Sequence, residues 1–191
     1  MGFTRAELES FRDTEVPDLL PPPGRPLRLL FVGINPGLWT AATQTHFAHP
    51  GNRFYPALLR AGILTAPIDP AAGMSDTDRE TLRDRGIGIT NVVARATARA
   101  DELTRDELRA GGALLEELVA RRSPRVVAVA GITAYRTAFG DRAAKVGEQP
   151  EPWGSSSVFV VPNPSGLNAH ETVDSLATAY AAAARAAGVI G

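Results

Sequence analysis

The chain contains no cysteine. That absence excludes disulfides, thiolate metal sites, iron–sulfur clusters and a cysteine nucleophile. Lysine is almost missing too: Lys145 stands alone, and nearly all positive charge is arginine. A guanidinium grips phosphate bidentately but pairs as readily with carboxylate. At a net charge of -1, the basic excess of a strong non-specific nucleic-acid binder is lacking. A local basic face remains open, with Arg53 and Arg95 as its candidates. No apolar run is long enough for a membrane span, and Met1 to Glu7 has no secretory apolar core. The expectation is a cytoplasmic protein with no membrane partner. No Gly-x-Gly-x-x-Gly follows the first strand, the Gly86-x-Gly88 pair lacks its third glycine, and no Gly-Lys-Ser/Thr occurs, so dinucleotide and nucleoside-triphosphate sites are poorly supported. Without Gly-x-Ser-x-Gly, a nucleophile-elbow hydrolase is poorly supported as well.

What is present is an ordinary globular composition, 44% hydrophobic over 191 residues, enough for one domain with a real core. Arg28 to Val32 is a short apolar run that stops at Gly33-Ile34-Asn35-Pro36-Gly37, a pattern that predicts a buried strand ending in a turn. Gly86 to Val93, Pro124 to Ala130 and Ser155 to Val161 read as further strands. Helices are predicted over Thr4–Asp13, where Thr4 and Glu7 have capping-box spacing, over Asn52–Ala61, from Ser75, over Thr104–Arg121, over Ile132–Phe139 and over Glu171–Ala187. In the Thr104 helix Leu108, Leu114, Leu115 and Leu118 are expected to face inward, and Gly111-Gly112 to weaken or kink it. Leu38 to Gly51 reads as one long loop. Residues 1–26, with Pro21-Pro22-Pro23, form a helical and proline-rich appendage on a single domain spanning 1–191. Continuous apolar strands alternating with helices predict a three-layer α/β/α sandwich around a mainly parallel sheet.

Parallel strands share one carboxyl edge, where open α/β sheets place their ligands. The turns Asn35-Pro36 and Asn163-Pro164 both follow strands, so they can meet at one cleft. Each residue there has two readings. Asn35 is either a turn former or an amide that orients a water or polar ligand; it cannot serve as a general base at neutral pH. Phe47 either folds onto the core or forms a platform for a flat base. His46 and His49 are three apart, but with no third ligand nearby a loop hinge is favoured over a metal site. Leu167, in Ser165-Gly166-Leu167-Asn168, is either a hydrophobic staple for the last helix or a wedge of the kind inserted between base steps.

Three segments together resemble the mismatch-specific uracil/thymine-DNA glycosylases of the uracil-DNA glycosylase superfamily. They are Gly33-Ile34-Asn35-Pro36-Gly37-Leu38, Phe47-Ala48-His49-Pro50-Gly51-Asn52-Arg53-Phe54, and Asn163-Pro164-Ser165-Gly166-Leu167. Weaker support comes from Gly88 to Thr97. The resemblance implies a monofunctional enzyme that flips a mispaired uracil out of double-stranded DNA and hydrolyses its N-glycosidic bond. Thymine and adducts such as ethenocytosine are further substrates it suggests. By the same analogy Asn35 positions the attacking water, Ile34, Phe47 and Asn163 bind the base, and Gly166, Leu167 and Asn168 fill the vacated stack and read the opposite guanine. No cofactor or metal is implied, and the expected form is a monomer associated with the nucleoid through DNA. Trp39, Asn91, Ala94 and Ala169 depart from the family pattern. Two alternatives stand beside this reading: a hydrolase of free nucleosides, and a non-catalytic module that binds damaged DNA.

Overall fold

The computed structural model describes residues 2–191. Its centre is a sheet of five strands, β1 (Leu29–Gly33), β2 (Ile87–Asn91), β3 (Val126–Ala130), β4 (Gly147–Glu148) and β5 (Ser157–Val161), in the order β2-β1-β3-β5-β4. β1 pairs in parallel with both β2 and β3, β3 pairs in parallel with β5, and only the two-residue β4 runs antiparallel at the edge. Seven helices are described: α1 (Arg5–Glu9), α2 (Leu38–Thr43), α3 (Phe54–Arg60), α4 (Asp76–Asp84), α5 (Arg105–Arg122), α6 (Ile132–Phe139) and α7 (Val173–Ala186).

The period-two geometry of strands divides their side chains between two cores. Leu29, Phe31, Ile87, Ile89, Val126, Ala128, Phe159 and Val161 pack with residues of α3, α4 and α7. Leu30, Val32, Val127, Val129, Val158 and Val160 pack with residues of α5 and α6. This is the expected α/β/α layering, and it explains why the runs of β1, β3 and β5 are apolar throughout: their side chains enter a core on both faces of the sheet.

Several local expectations are corrected. The segment predicted as a loop from Leu38 contains α2, a six-residue helix whose Gly37 cap offers no side-chain hydrogen bond. Its stability comes from burial of Leu38 and Ala41 against Val16 and Ala96, since so short a helix would not persist alone. Leu114 points outward and is 64% exposed. The inward face of α5 carries Gly111, Gly112, Leu115 and Val119, with Leu108 and Leu118 packed at its margin. The glycine pair does not interrupt α5. A Cβ on Gly111 would fall 2.1 Å from the carbonyl oxygen of Val92, and one on Gly112 would fall 2.9 Å from that of Ala138. Glycine thus lets α5 approach both backbones closely.

The appendage also has a structural job. Leu19 is buried and exchanges backbone hydrogen bonds with Ile89 at 2.9 and 2.7 Å. The pairing is an antiparallel bridge, and it covers part of the β2 edge that would otherwise be open to another chain.

Candidate active site

A cleft of about 790 Å³ opens at the carboxyl ends of β1, β2, β3 and β5. Asn35 and Asn163 both line it, as do Ile34, Phe47, Gly166, Leu167 and Asn168. The two Asn-Pro turns, 128 residues apart by number, therefore occupy one groove.

The Asn35 amide is held from one end. Its Nδ2 donates to the carbonyl of Arg95 at 2.9 Å, to Thr97 Oγ1 at 2.8 Å and to the carbonyl of Pro36 at 3.2 Å. The Thr97 hydroxyl donates its own hydrogen to the carbonyl of Arg99 at 2.8 Å, so toward Asn35 its oxygen can only accept. Three acceptors around one NH2 group fix the amide orientation. Oδ1 has no donor among the described residues and is left to the cleft.

The segment that orients Asn35 is itself braced. Thr97 N–H donates to the carbonyl of Pro36, Val93 N–H to that of Ile34, and Ala96 N–H to that of Thr14. The Arg95 guanidinium bonds Asp13 at 2.6 Å and Glu107 at 2.9 Å. The backbone N–H of Thr104 and then Arg95 hold the Glu107 carboxyl down at about 2. Arg95 is therefore occupied by carboxylates, which corrects its candidacy for a phosphate-facing arginine surface.

Phe47 adopts a positive φ of 57°. One face stacks on Phe54, with centroids 4.1 Å apart and planes at 25°, so it both packs on the core and lines the cleft. Its Cζ lies 3.2 Å from where a Cβ on Gly33 would stand, and Asn91 Oδ1 lies 2.5 Å from that point. Glycine at 33 leaves room for both groups at the cleft floor.

His46 and His49 part company. His49 is exposed at the cleft rim, whereas His46 is buried. The His46 ring has Nε2 3.0 Å from the carbonyl of Pro17 and Nδ1 3.2 Å from Asn91 Nδ2. A carbonyl only accepts, so Nε2 carries the hydrogen. Burial pushes the imidazole pKa down, Pro17 and Asp18 oppose this, and Arg79 adds to it. The neutral ring then offers a bare Nδ1, which must receive an N–H from Asn91. Asn91 Oδ1 is thereby directed away from His46, toward Gly33 and the cleft. Sequence reasoning noted Asn91 only as a departure; the signal it lacked was the buried imidazole 45 residues away.

Leu167 is 90% exposed and packs on no helix, which removes the staple reading. Its loop is tied internally. Ser165 N–H donates to Asn163 Oδ1 at 3.0 Å, Asn168 N–H to the carbonyl of Ser165 at 2.9 Å, and Asn168 Nδ2 to the carbonyl of Asn163 at 3.2 Å. Arg53 completes the loop by donating to the carbonyls of Gly166 at 3.2 Å, Asn168 at 3.1 Å, and Glu171. This second arginine is turned toward the protein's own backbone, again contrary to the expected basic face.

The α/β/α sandwich around a mainly parallel sheet is of the uracil-DNA-glycosylase-like class of fold, here with an aromatic ring and an exposed leucine lining the cleft at its strand ends. The chain belongs to the uracil DNA glycosylase superfamily, whose family model matches residues 22–184. It is also similar in fold to the solution NMR structure of a proposed uracil DNA glycosylase from Methanosarcina acetivorans. That likeness has a TM-score of 0.57 at 17% identity and covers 90% of this chain and 96% of the other.

Proposed function

We propose that the protein is a monofunctional base-excision glycosylase, acting as a monomer on double-stranded DNA. It hydrolyses the N-glycosidic bond of uracil opposite guanine, with thymine and ethenocytosine as further substrates. The observation that carries this reading is the Asn35 amide: its NH2 is spent on three protein acceptors, and its oxygen is left for a water.

The chemistry asks little more of the site. As the bond between base and sugar breaks, positive charge develops on the sugar and negative charge on the departing uracil. Asn35 Oδ1 accepts a hydrogen from the attacking water and aims its oxygen at the anomeric carbon. The water's hydroxyl ends on the sugar, and its proton passes to the released base or to bulk solvent. Orientation alone can lower such a barrier by several kcal/mol. Phe47 stacks on the extruded base beside the Ile34 backbone and Asn163; a uracil anion departs more readily where N–H groups face its oxygens.

Asn91 supplies selectivity in this scheme. Its cleft-facing oxygen accepts the N3–H of uracil or thymine, whereas cytosine presents a lone pair at N3; ethenocytosine, whose N3 is closed into the etheno ring, enters without this contact. Gly166, Leu167 and Asn168 occupy the space left in the duplex and face the opposite guanine. A mismatched pair opens at lower cost, so extrusion adds its own preference.

The test is a panel of duplexes, each carrying one lesion opposite G or A, scored for abasic sites. Free deoxyuridine serves as a separate substrate. Asn35→Ala should lower uracil release by about 10²-fold or more while duplex binding survives. Retained release would remove Asn35 from the mechanism. Cleavage of deoxyuridine as fast as duplex would instead indicate a nucleoside hydrolase.

A further inference from the structure

Leu167 protrudes at 90% exposure, so no packing of its own side chain sets where it points. Its position must come from the backbone beneath it. The bonds within the Asn163–Asn168 turn fold the loop, and the anchoring of that turn to the body of the protein converges on Arg53. The Arg53 backbone N–H donates to the carbonyl of Pro164 at 3.0 Å. Its guanidinium donates to the carbonyls of Gly166, Asn168 and Glu171. Those acceptors bracket Leu167 on both sides and continue to the entry of α7. The contact between the two turns is close: a Cβ on Gly166 would fall 2.6 Å from the carbonyl oxygen of Gly51. The Gly51–Phe54 turn that shapes the cleft floor is thus the seat of the protruding loop.

A guanidinium has five donors in a rigid plane and no acceptor, which suits it to several carbonyls at once. An ammonium on a flexible stem carries the same charge but cannot reproduce that fork. Three of the five Arg53 donors are directed at carbonyls of this one loop, so the side chain is committed to the protein's own backbone. We infer that Arg53 is the positioning residue of the wedge, holding the Gly166–Glu171 backbone so that Leu167 meets the duplex already in its inserting geometry. This inference rests on the glycosylase reading above. Its physical content is that the loop's ordering entropy is lost at folding, not at each DNA encounter.

The experiment compares Arg53→Lys, Arg53→Ala and Leu167→Gly, and Arg53→Lys combined with Leu167→Gly. Single-turnover uracil release is measured from a G·U duplex and from a single strand, and duplex binding is measured from about 50 to about 200 mM salt. Arg53→Lys should slow release from duplex about tenfold while changing the single-strand rate far less, and the double variant should be no slower than Leu167→Gly alone. The salt slope of Arg53→Lys should equal that of the wild type. Full activity in Arg53→Lys, with Arg53→Ala flattening the salt slope by about one unit, would make Arg53 a phosphate contact and overturn the inference. Equal losses on both substrates would overturn it as well. Amide hydrogen exchange reads the same question without activity: Leu167, Asn168 and His170 should exchange faster in Arg53→Lys while the β-sheet amides do not. Unchanged exchange in the loop would overturn the inference. Should the wild type release no uracil from any substrate, the glycosylase reading would fail, and the exchange data would still decide whether Arg53 orders the loop.

Discussion

A carboxamide has one donating and one accepting end, and its neighbours decide which end faces a substrate. Asn35 and Asn91 illustrate this twice in one cleft. Arg95, Thr97 and Pro36 claim the NH2 of the first, and a neutral His46 claims the NH2 of the second. His46 also makes the protein pH-sensitive in a definite direction. Burial depresses its folded-state pKa below the ordinary 6.5, so the unfolded chain takes up the proton first as pH falls. Stability is therefore complete above about 6.5 and declines as pH drops below it, until the folded ring also protonates. Thermal unfolding between pH 8 and pH 5 should show that decline, and His46→Phe should flatten it. Protonated Nδ1–H would also face the Asn91 N–H, so uracil release should fall over the acid side in the wild type. The charges acting on the ring come from Asp18 and Arg79, while the Tyr55 hydroxyl, held neutral by burial, bonds only the His46 carbonyl.

At the scale of the element, small residues mark where backbones must meet. Gly111 in α5 lies under the Val92 carbonyl, directly after the strand that carries Asn91. Gly111→Ala forces the helix or that strand end to move, and overpacking of this kind destabilises by about 1–3 kcal/mol. Chemical denaturation should show the loss, and the displaced strand end should lower uracil release in the variant that remains folded. The wedge loop is an element of the opposite character, exposed yet ordered. Leu167→Gly should slow release from paired substrates by about tenfold and have little effect on a single strand, because only the duplex has to be opened. Equal slowing on both would refute a wedge.

The molecule as a whole carries a net charge of -1, and two arginines near the cleft are engaged internally. Binding to duplex DNA should accordingly depend weakly on salt. A log–log slope shallower than about −3 corresponds to no more than roughly three phosphate contacts; a much steeper slope would reveal a basic surface elsewhere. The N-terminal segment belongs to this scale as well. It shields the β2 edge through Leu19 and braces the Arg95–Thr97 strip through Thr14 and Asp13, so it supports the orientation of Asn35 from a distance.

Much of this was readable from local sequence. The apolar strand runs, the capping boxes at Thr4, Ser75 and Thr104, and the Asn-Pro turns after β1 and β5 are short-range signals, and from them follow the layered sheet and a cleft at its carboxyl edge. Other features left no local trace. α2 has no side-chain bond at its N-cap and exists because Leu38 and Ala41 are buried against Val16 of the N-terminal arm and Ala96. β4 is two residues at a sheet edge, too short for any period. Leu114 falls on the outer face because the inward positions of α5 go to Gly111, Gly112, Leu115 and Val119. The internal engagement of Arg53 and Arg95, and the direction in which each cleft asparagine points, depend, apart from the Pro36 carbonyl beside Asn35, on partners 12 to 118 residues away. Sequence by itself determined the alternation of strands and helices and the residues delivered to the strand ends, because those rest on periodicity and turn chemistry. Only the tertiary structure decided which end of each amide faces the cleft and which charges are already satisfied, because a hydrogen bond's direction is set by neighbours that folding brings together.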